Sequence, residues 1–436
     1  MAIRIIIAMI CYLPLCWILS ACKSNMLASG KSPQESYADR LKRMGLDSSA
    51  MGARWFEAAA KSLSSPLHIQ LPFRETGFFS PDNPLAFGYR IDLKQGQRLS
   101  INVSGRSNPY GKIFIELWGP GRRNNGLELL DYADSTGKLG YEAGSDISLI
   151  LRLQSELLAP LSYDLEITAG PSLAFPVSGS GNNHIGSIWG DQRDAGARLH
   201  EGIDIFGKRG TPILAASEGR ITSVREGGLG GKTVWLRPSG KDITLYYAHL
   251  DSQLVEAGQR VSTGDTVGLL GNTGNAINTP PHLHFGIYGN AGAVNPIYYV
   301  RKETAKPAAI TGNAAWLGKT ARTSSRQSLL TTTGAKTNGP VLDKSTYLVV
   351  TAVTGAYYKV QLPDRSEGLI PVSAVTSLER NIETISNPKP APLLFAPLAG
   401  SAIVTSNPPS TLPVKARFNG FAYVDNGNLR GWLLIQ

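Results

Sequence analysis

Three short blocks in the middle third of the chain, His200-Glu-Gly-Ile-Asp204, Tyr247-Ala-His249-Leu-Asp251 and His282-Leu-His284-Phe285, place four of its six histidines within 85 residues. The second and third blocks lie in runs (243–249 and 283–288) rich in β-branched, aromatic and aliphatic residues between turn signals, so both read as strands. Side chains two apart on a strand share a face. His282 and His284 therefore project toward one site, and the fold must be a sheet that carries it. Zinc favours imidazole nitrogen and carboxylate oxygen, and a catalytic zinc takes three protein ligands while water keeps the fourth position. Two histidines and an aspartate meet that count.

In this order and spacing, His-x-x-x-Asp, Tyr-Ala-His-Leu and His-x-His resemble the lysostaphin/LytM-type zinc endopeptidases that cut peptidoglycan cross-links. Trp189-Gly-Asp-Gln-Arg193, Gly210-Thr-Pro-Ile-Leu-Ala-Ala216 and Gly271-Asn-Thr-Gly274 are similar to that family's flanking segments, so the likeness covers roughly residues 173–300. It implies a β-rich domain of duplicated-hybrid-motif-like fold with one zinc per chain. His200, Asp204 and His284 would be the zinc ligands, and His249 and His282 the unliganded pair that handles protons and steadies the transition state. The resemblance also implies a groove on the sheet, which Trp189, Arg193, Tyr246 and Asn183 are placed to line. The division of labour between His249 and His282 stays open at this level.

Other hydrolytic chemistries are excluded. Glu201 follows His200, but position 204 is Asp, so the helical His-Glu-x-x-His zinc motif is absent. Gly179-Ser-Gly181 lacks the spacing of a serine nucleophile elbow. Cys11, Cys16 and Cys22 are the only cysteines, which leaves no thiol nucleophile in the body of the chain. Residues 255–268 resemble the hairpins of biotin or lipoyl carriers, yet no lysine follows at a hairpin tip. His68 and His184 match no motif and read as structural.

The N-terminus sets the compartment. After Arg4 comes an uncharged, mostly apolar run over residues 5–21, and Leu19-Ser-Ala-Cys22 resembles a bacterial lipobox. Cleavage before Cys22 would leave that residue for lipidation and tether the protein to a membrane outside the cytoplasm. Lys23 resembles the sorting pattern for an outer membrane where the cell has two. An uncleaved anchor helix is the competing reading of the same run.

With 436 residues, 42% apolar and 17% charged, the chain is globular and too long for one typical domain. The pattern predicts a mainly β, multidomain protein. Residues 1–21 read as signal peptide, 22–65 as a short helical segment and 66–172 as a β-sandwich. Residues 173–302 are the catalytic domain, 303–340 a Thr/Ser/Lys/Gly-rich linker, 341–380 a unit resembling bacterial SH3-like cell-wall β-barrels, and 381–436 a Pro-rich segment with a terminal β unit. The net charge of +10 suits an anionic bacterial wall. Export, together with the lack of any nucleic-acid motif, argues against a nucleic-acid partner. Peptidoglycan and a membrane are the partners implied, and the sequence is silent on oligomeric state. Two function classes remain: a zinc endopeptidase acting on wall peptides, or a non-catalytic regulator of another wall hydrolase.

Overall fold

The computed structural model describes residues 30–106, 111–121, 126–193, 196–336, 339–386 and 391–435. The signal-peptide and lipidation readings, including Cys22, fall outside them. Among the described residues no helix is long and apolar enough to cross a membrane.

Two helices open the described chain, Pro33–Arg43 and Ala50–Ser64. Ser32 and Glu35 form a reciprocal cap at the first, with Pro33 at its first turn, and the Ser49 side chain caps the second. Both helices cover the outer face of a sheet ordered Leu67–His68, Ala86–Leu93, Ile147–Ser155, Ile113–Pro120, Leu127–Tyr132. The Trp55 indole is buried there and donates to the Ser155 carbonyl at 2.8 Å. A second sheet faces the first across a core that includes Phe79, Tyr89, Leu99, Leu149 and Ile167, all essentially inaccessible. Strict alternation, as in the buried Leu161, Tyr163, Leu165 and Ile167, makes this the expected β-sandwich.

The second sheet does not stop at the sandwich. Its strand Phe73–Phe79 pairs with Tyr347–Thr354, and the sheet continues through Tyr357–Gln361 and Glu367–Pro371, strands that lie beyond the middle domain in sequence. The stretch 303–340, expected as a linker, supplies part of this body. Thr320–Thr323 is a strand paired with Tyr347–Thr354, and Leu330 and Leu369 exchange backbone hydrogen bonds of 2.9 and 2.8 Å. The reason is chemical: threonine is polar by composition but β-branched by shape, so a Thr-rich stretch forms strands when a sheet edge is available. The small unit thus begins about twenty residues before position 341 and is built onto the sandwich. A final sheet, containing Thr411–Phe418, Phe421–Asp425 and Arg430–Leu434, packs on it through Tyr347, Tyr423 and Trp432.

In sequence, the middle β domain separates these two parts. Its main sheet runs Ile185–Ser187, Ile203–Phe206, His282–Gly289, Ile243–Leu250, Lys232–Pro238, Gly219–Glu226, Arg260–Val261, with Gly292–Val294 added beside His282–Gly289. One face packs on a core that includes Ile205, Ile221, Leu245, Tyr247 and Phe285. The opposite face carries the histidines.

A candidate metal centre on the middle sheet

Register builds the centre. Asp204 lies directly across from His284 on the neighbouring antiparallel strand, and Ala248 lies across from His284 on the other side. His282 is two residues from His284 and opposite Phe206, so it shares their face. His200 precedes the strand Ile203–Phe206 and is anchored by backbone hydrogen bonds to Asp191 and Gly190.

His249 would face the core if its strand kept alternating, because Tyr247 and Leu245 are buried there and Ala248 lies on the site side. Its backbone instead takes φ +63°, a conformation costly for a residue with a Cβ. That single departure swings the ring onto the site face, with its centroid 5.1 Å from that of His282 and 5.9 Å from that of His284. The turn is held by the Gly-rich loop 227–231. The His249 amide donates to the Gly230 carbonyl at 2.8 Å, while Nδ1 of His249 meets the Thr273 carbonyl at 2.9 Å.

Three donor atoms converge. His200 Nε2 is 3.0 Å from Asp204 Oδ1 and 3.0 Å from His284 Nδ1, and the last two are 3.1 Å apart. Bonds of about 2.0–2.1 Å to a tetrahedral zinc ion put neighbouring donors about 3.3 Å apart. The proton inventory points the same way. His200 Nδ1 lies 2.8 Å from the Ile188 carbonyl, which can only accept, so a neutral ring keeps its hydrogen there and turns the Nε2 lone pair toward the carboxylate. A lone pair and a carboxylate oxygen at 3.0 Å repel each other unless a cation lies between them. The donor set therefore fits a divalent ion.

Surrounding groups hold the donors. Arg193 Nη2 donates to Asp204 Oδ2 at 2.6 Å and to Ser187 Oγ at 2.7 Å, which leaves Oδ1 free to face the histidines. Ser187 in turn donates to Asp191, whose backbone holds His200. Outer partners of this kind fix ligand orientation. Burial opposes ionisation of Asp204, but when His200 and His284 carry protons in place of the ion, their hydrogen bonds and charges outweigh it and hold the carboxyl well below the usual range. Burial, reinforced by His282 and His284, lowers His249 to about 4, so its ring is neutral near pH 7. His282 Nδ1 lies 2.9 Å from the Pro280 carbonyl. Neutral His249 thus keeps a hydrogen on Nδ1 and leaves Nε2 unprotonated, and the Pro280 carbonyl selects the same tautomer for His282.

All five predicted residues come together, and four of them, His200, Asp204, His249 and His282, are buried. His284 keeps 16% of its side chain exposed, which opens one side of the cluster to solvent. Of the four residues expected along the groove, Arg193 contacts Asp204, and the Tyr246 ring lies edge-on to His284 at 5.9 Å. Asn183 is exposed and Trp189 half-buried; among the described residues neither hydrogen-bonds to the cluster. Sequence reading gave no roles to Ser187, Asp191 and Thr273, although Asp191 and Thr273 lie in segments whose likeness was noted. His68 pairs with Asp92 at 2.9 Å, and the His184 ring accepts from the Gly181 amide at 3.2 Å, both away from the centre.

Residues 198–296, which contain all five, match the model of peptidase family M23. The chain carries a peptidase family M23 domain. An uncharacterized metalloprotease of Haemophilus influenzae is 42% identical over 101 residues, covering 23% of this chain and 21% of that protein. The peptidoglycan DD-endopeptidase ShyC of Vibrio cholerae is 39% identical over 218 residues, 48% of this chain and 43% of that protein. The L-Ala--D-Glu endopeptidase of Bacillus subtilis is 33% identical over 127 residues, 27% of this chain and 39% of that protein. The chain thus spans less than half the length of each of these curated relatives.

Proposed function

We propose that the protein is a zinc-dependent endopeptidase that hydrolyses an amide bond in the stem or cross-bridge peptides of peptidoglycan, outside the cytoplasm. The observation that carries this reading is the convergence of His200 Nε2, Asp204 Oδ1 and His284 Nδ1 beside two histidines whose rings are anchored at Nδ1 by backbone carbonyls. The M23 match and the endopeptidase names of two relatives support the substrate class. The apolar run at residues 5–21 and Cys22 support a lipid-anchored, extracytoplasmic placement, and the positive charge suits an anionic wall polymer.

His200, Asp204 and His284 would hold one zinc ion, which when bound lowers the pKa of water to about 7 and polarises a carbonyl. The remaining chemistry belongs to this chain. His282 Nε2 lies 4.0 Å from Asp204 Oδ1, at the edge of the donor cluster, and is placed to take the proton of the attacking water. The carbonyl of Pro280 fixes its tautomer and steadies the imidazolium that forms. His249, neutral and equally anchored, has its ring centroid 5.1 Å from that of His282 and hydrogen-bonds the reacting carbonyl or the leaving amine once the proton taken from the water reaches its Nε2. Each positioned acid or base is worth about 10²–10⁴-fold.

Digestion of purified sacculi by the zinc-loaded protein, with release of peptide fragments identified by mass and loss of release after chelation, is the expected result. Intact sacculi under both conditions would leave a non-catalytic regulator of another wall hydrolase as the function.

The loop that sets His249 supplies a second expectation. Gly231 has φ +64°, and a Cβ there would lie 2.3 Å from Thr273 Oγ1 and 2.4 Å from the Thr273 carbonyl carbon. Gly231→Ala must push Thr273, and with it the acceptor of His249 Nδ1, at a strain of about 1–3 kcal/mol. Turnover should fall by about tenfold or more with zinc content unchanged, because a misplaced base costs rate without touching the donors. Metal analysis alongside kcat checks it, and unchanged kcat would remove the role given to this loop.

A further inference from the structure

The open face of the M23 sheet carries a feature that the proton chemistry does not use. Alternation along His282–Gly289 puts His284, Gly286 and Tyr288 on that face and Leu283, Phe285 and Ile287 in the core. Tyr246 pairs with Gly286, and Trp235 pairs with Tyr246, so both rings share the face with His284. Ring centroids of Trp235 and Tyr246 are 4.3 Å apart, Trp235 and Tyr288 5.4 Å, and Tyr246 and Tyr288 6.2 Å. All three side chains are only half-buried. A solvent-facing sheet surface ordinarily reads polar, so three adjoining large aromatics form an apolar patch with one side open. Tyr246 stands 5.9 Å from His284, which makes the patch continuous with the metal centre.

We infer that Trp235, Tyr246 and Tyr288 form a substrate subsite that receives the aliphatic side chain of a peptide residue one or two positions from the scissile amide. This rests on the peptide-hydrolase reading above and names which part of the substrate the sheet selects. Reach decides the occupant: an extended chain advances about 3.3–3.6 Å per residue, so the 5.9 Å from His284 to Tyr246 is less than two residues. The rings also touch one another, with centroids 4.3, 5.4 and 6.2 Å apart, so they present one continuous apolar surface rather than separate contacts. The chemistry is burial and dispersion against ring faces, which favours C–H surface over a carboxylate. Trp235 and Tyr288 supply no donor atom to the metal centre, so their contribution is to binding and choice of substrate.

The test uses the zinc-loaded chain and a glycan-free cross-linked peptide dimer. Trp235→Ala and Tyr288→Ala should each raise KM about tenfold, a difference of the size apolar pocket contacts confer, with kcat and zinc affinity within about twofold of the parent, and Trp235→Phe should restore most of the loss. Equilibrium dialysis of the same dimer against the His282→Ala protein, with and without Trp235→Ala, separates the two readings. Trp235-dependent binding by a protein that never cleaves would retain the subsite and remove the hydrolase. Unchanged KM and binding in Trp235→Ala and Tyr288→Ala would overturn the subsite, as would a loss confined to intact glycan-bearing polymer, which would assign the patch to sugars. Loss of zinc with KM would reduce the patch to packing. If Trp235→Ala misfolds by circular dichroism, Tyr288→Ala decides.

Discussion

Alanine at His200, Asp204 or His284 will leave the protein without stoichiometric zinc, whereas alanine at His249 or His282 will leave zinc in place and abolish most turnover. The split follows from which atoms face one another. His200 Nε2, Asp204 Oδ1 and His284 Nδ1 lie within 3.1 Å of each other, so removal of any one takes away a third of the protein's donors to the ion. The Nε2 atom of His282 stands 4.0 Å from the same carboxylate oxygen, and His249 approaches the cluster only through ring contacts. Loss of either should therefore cost about 10²–10⁴-fold in kcat with little change in metal content. Metal stoichiometry after dialysis, paired with single-turnover rates, reads both quantities. A His284→Ala protein that retains one equivalent of zinc would exchange the roles of His282 and His284.

The meeting of these five side chains was legible in the sequence, for identifiable reasons. Asp204, His282 and His284 were readable because their chemistry sits on strands, where the two-residue period decides the face and register brings distant positions together. His249 was readable by motif but not by geometry, since strand alternation alone assigns it to the core. Its left-handed backbone comes from the Gly227–Gly231 loop and the Thr273 carbonyl, contacts that no local pattern encodes. Arg193 lay in a noted segment, yet its partner, Asp204 Oδ2, depends on the path of a loop. The 303–340 stretch went the other way, because composition reported polarity while threonine's shape let Thr320–Thr323 pair with Tyr347–Thr354, a strand whose own partner, Phe73–Phe79, lies more than two hundred residues upstream. Long-range pairing of that kind leaves no periodic trace in either segment.

That same long-range pairing carries the second large effect expected of this chain. Lys359 on the strand Tyr357–Gln361 is buried and bonds to Glu75 Oε1 at 2.8 Å and to the Tyr89 hydroxyl at 2.6 Å, with its ammonium 3.6 Å from the centre of the Phe87 ring. Glu75, also buried, accepts from Tyr163 at 2.6 Å as well, and its Oε2 has no partner among the described residues. One charge therefore comes from the C-terminal unit and the other from the sandwich. Burial lowers the Lys359 pKa, and Glu75 works against that shift. Lys359→Met should destabilise the protein by about 3–5 kcal/mol, because the carboxylate then stays buried without its counter-charge. Adding Glu75→Gln should recover a large part of that loss, since an amide needs no cation. Denaturant unfolding of both proteins, followed by the fluorescence of Trp55 and Trp432 in single-tryptophan backgrounds, measures the loss and shows whether the two halves unfold together. Coincident transitions that move down jointly in Lys359→Met are expected of a shared sheet. A Lys359→Met protein within 1 kcal/mol of the parent, or one in which only the C-terminal probe moves, would mean that the sandwich and the distal strands fold independently and that their pairing contributes little to either.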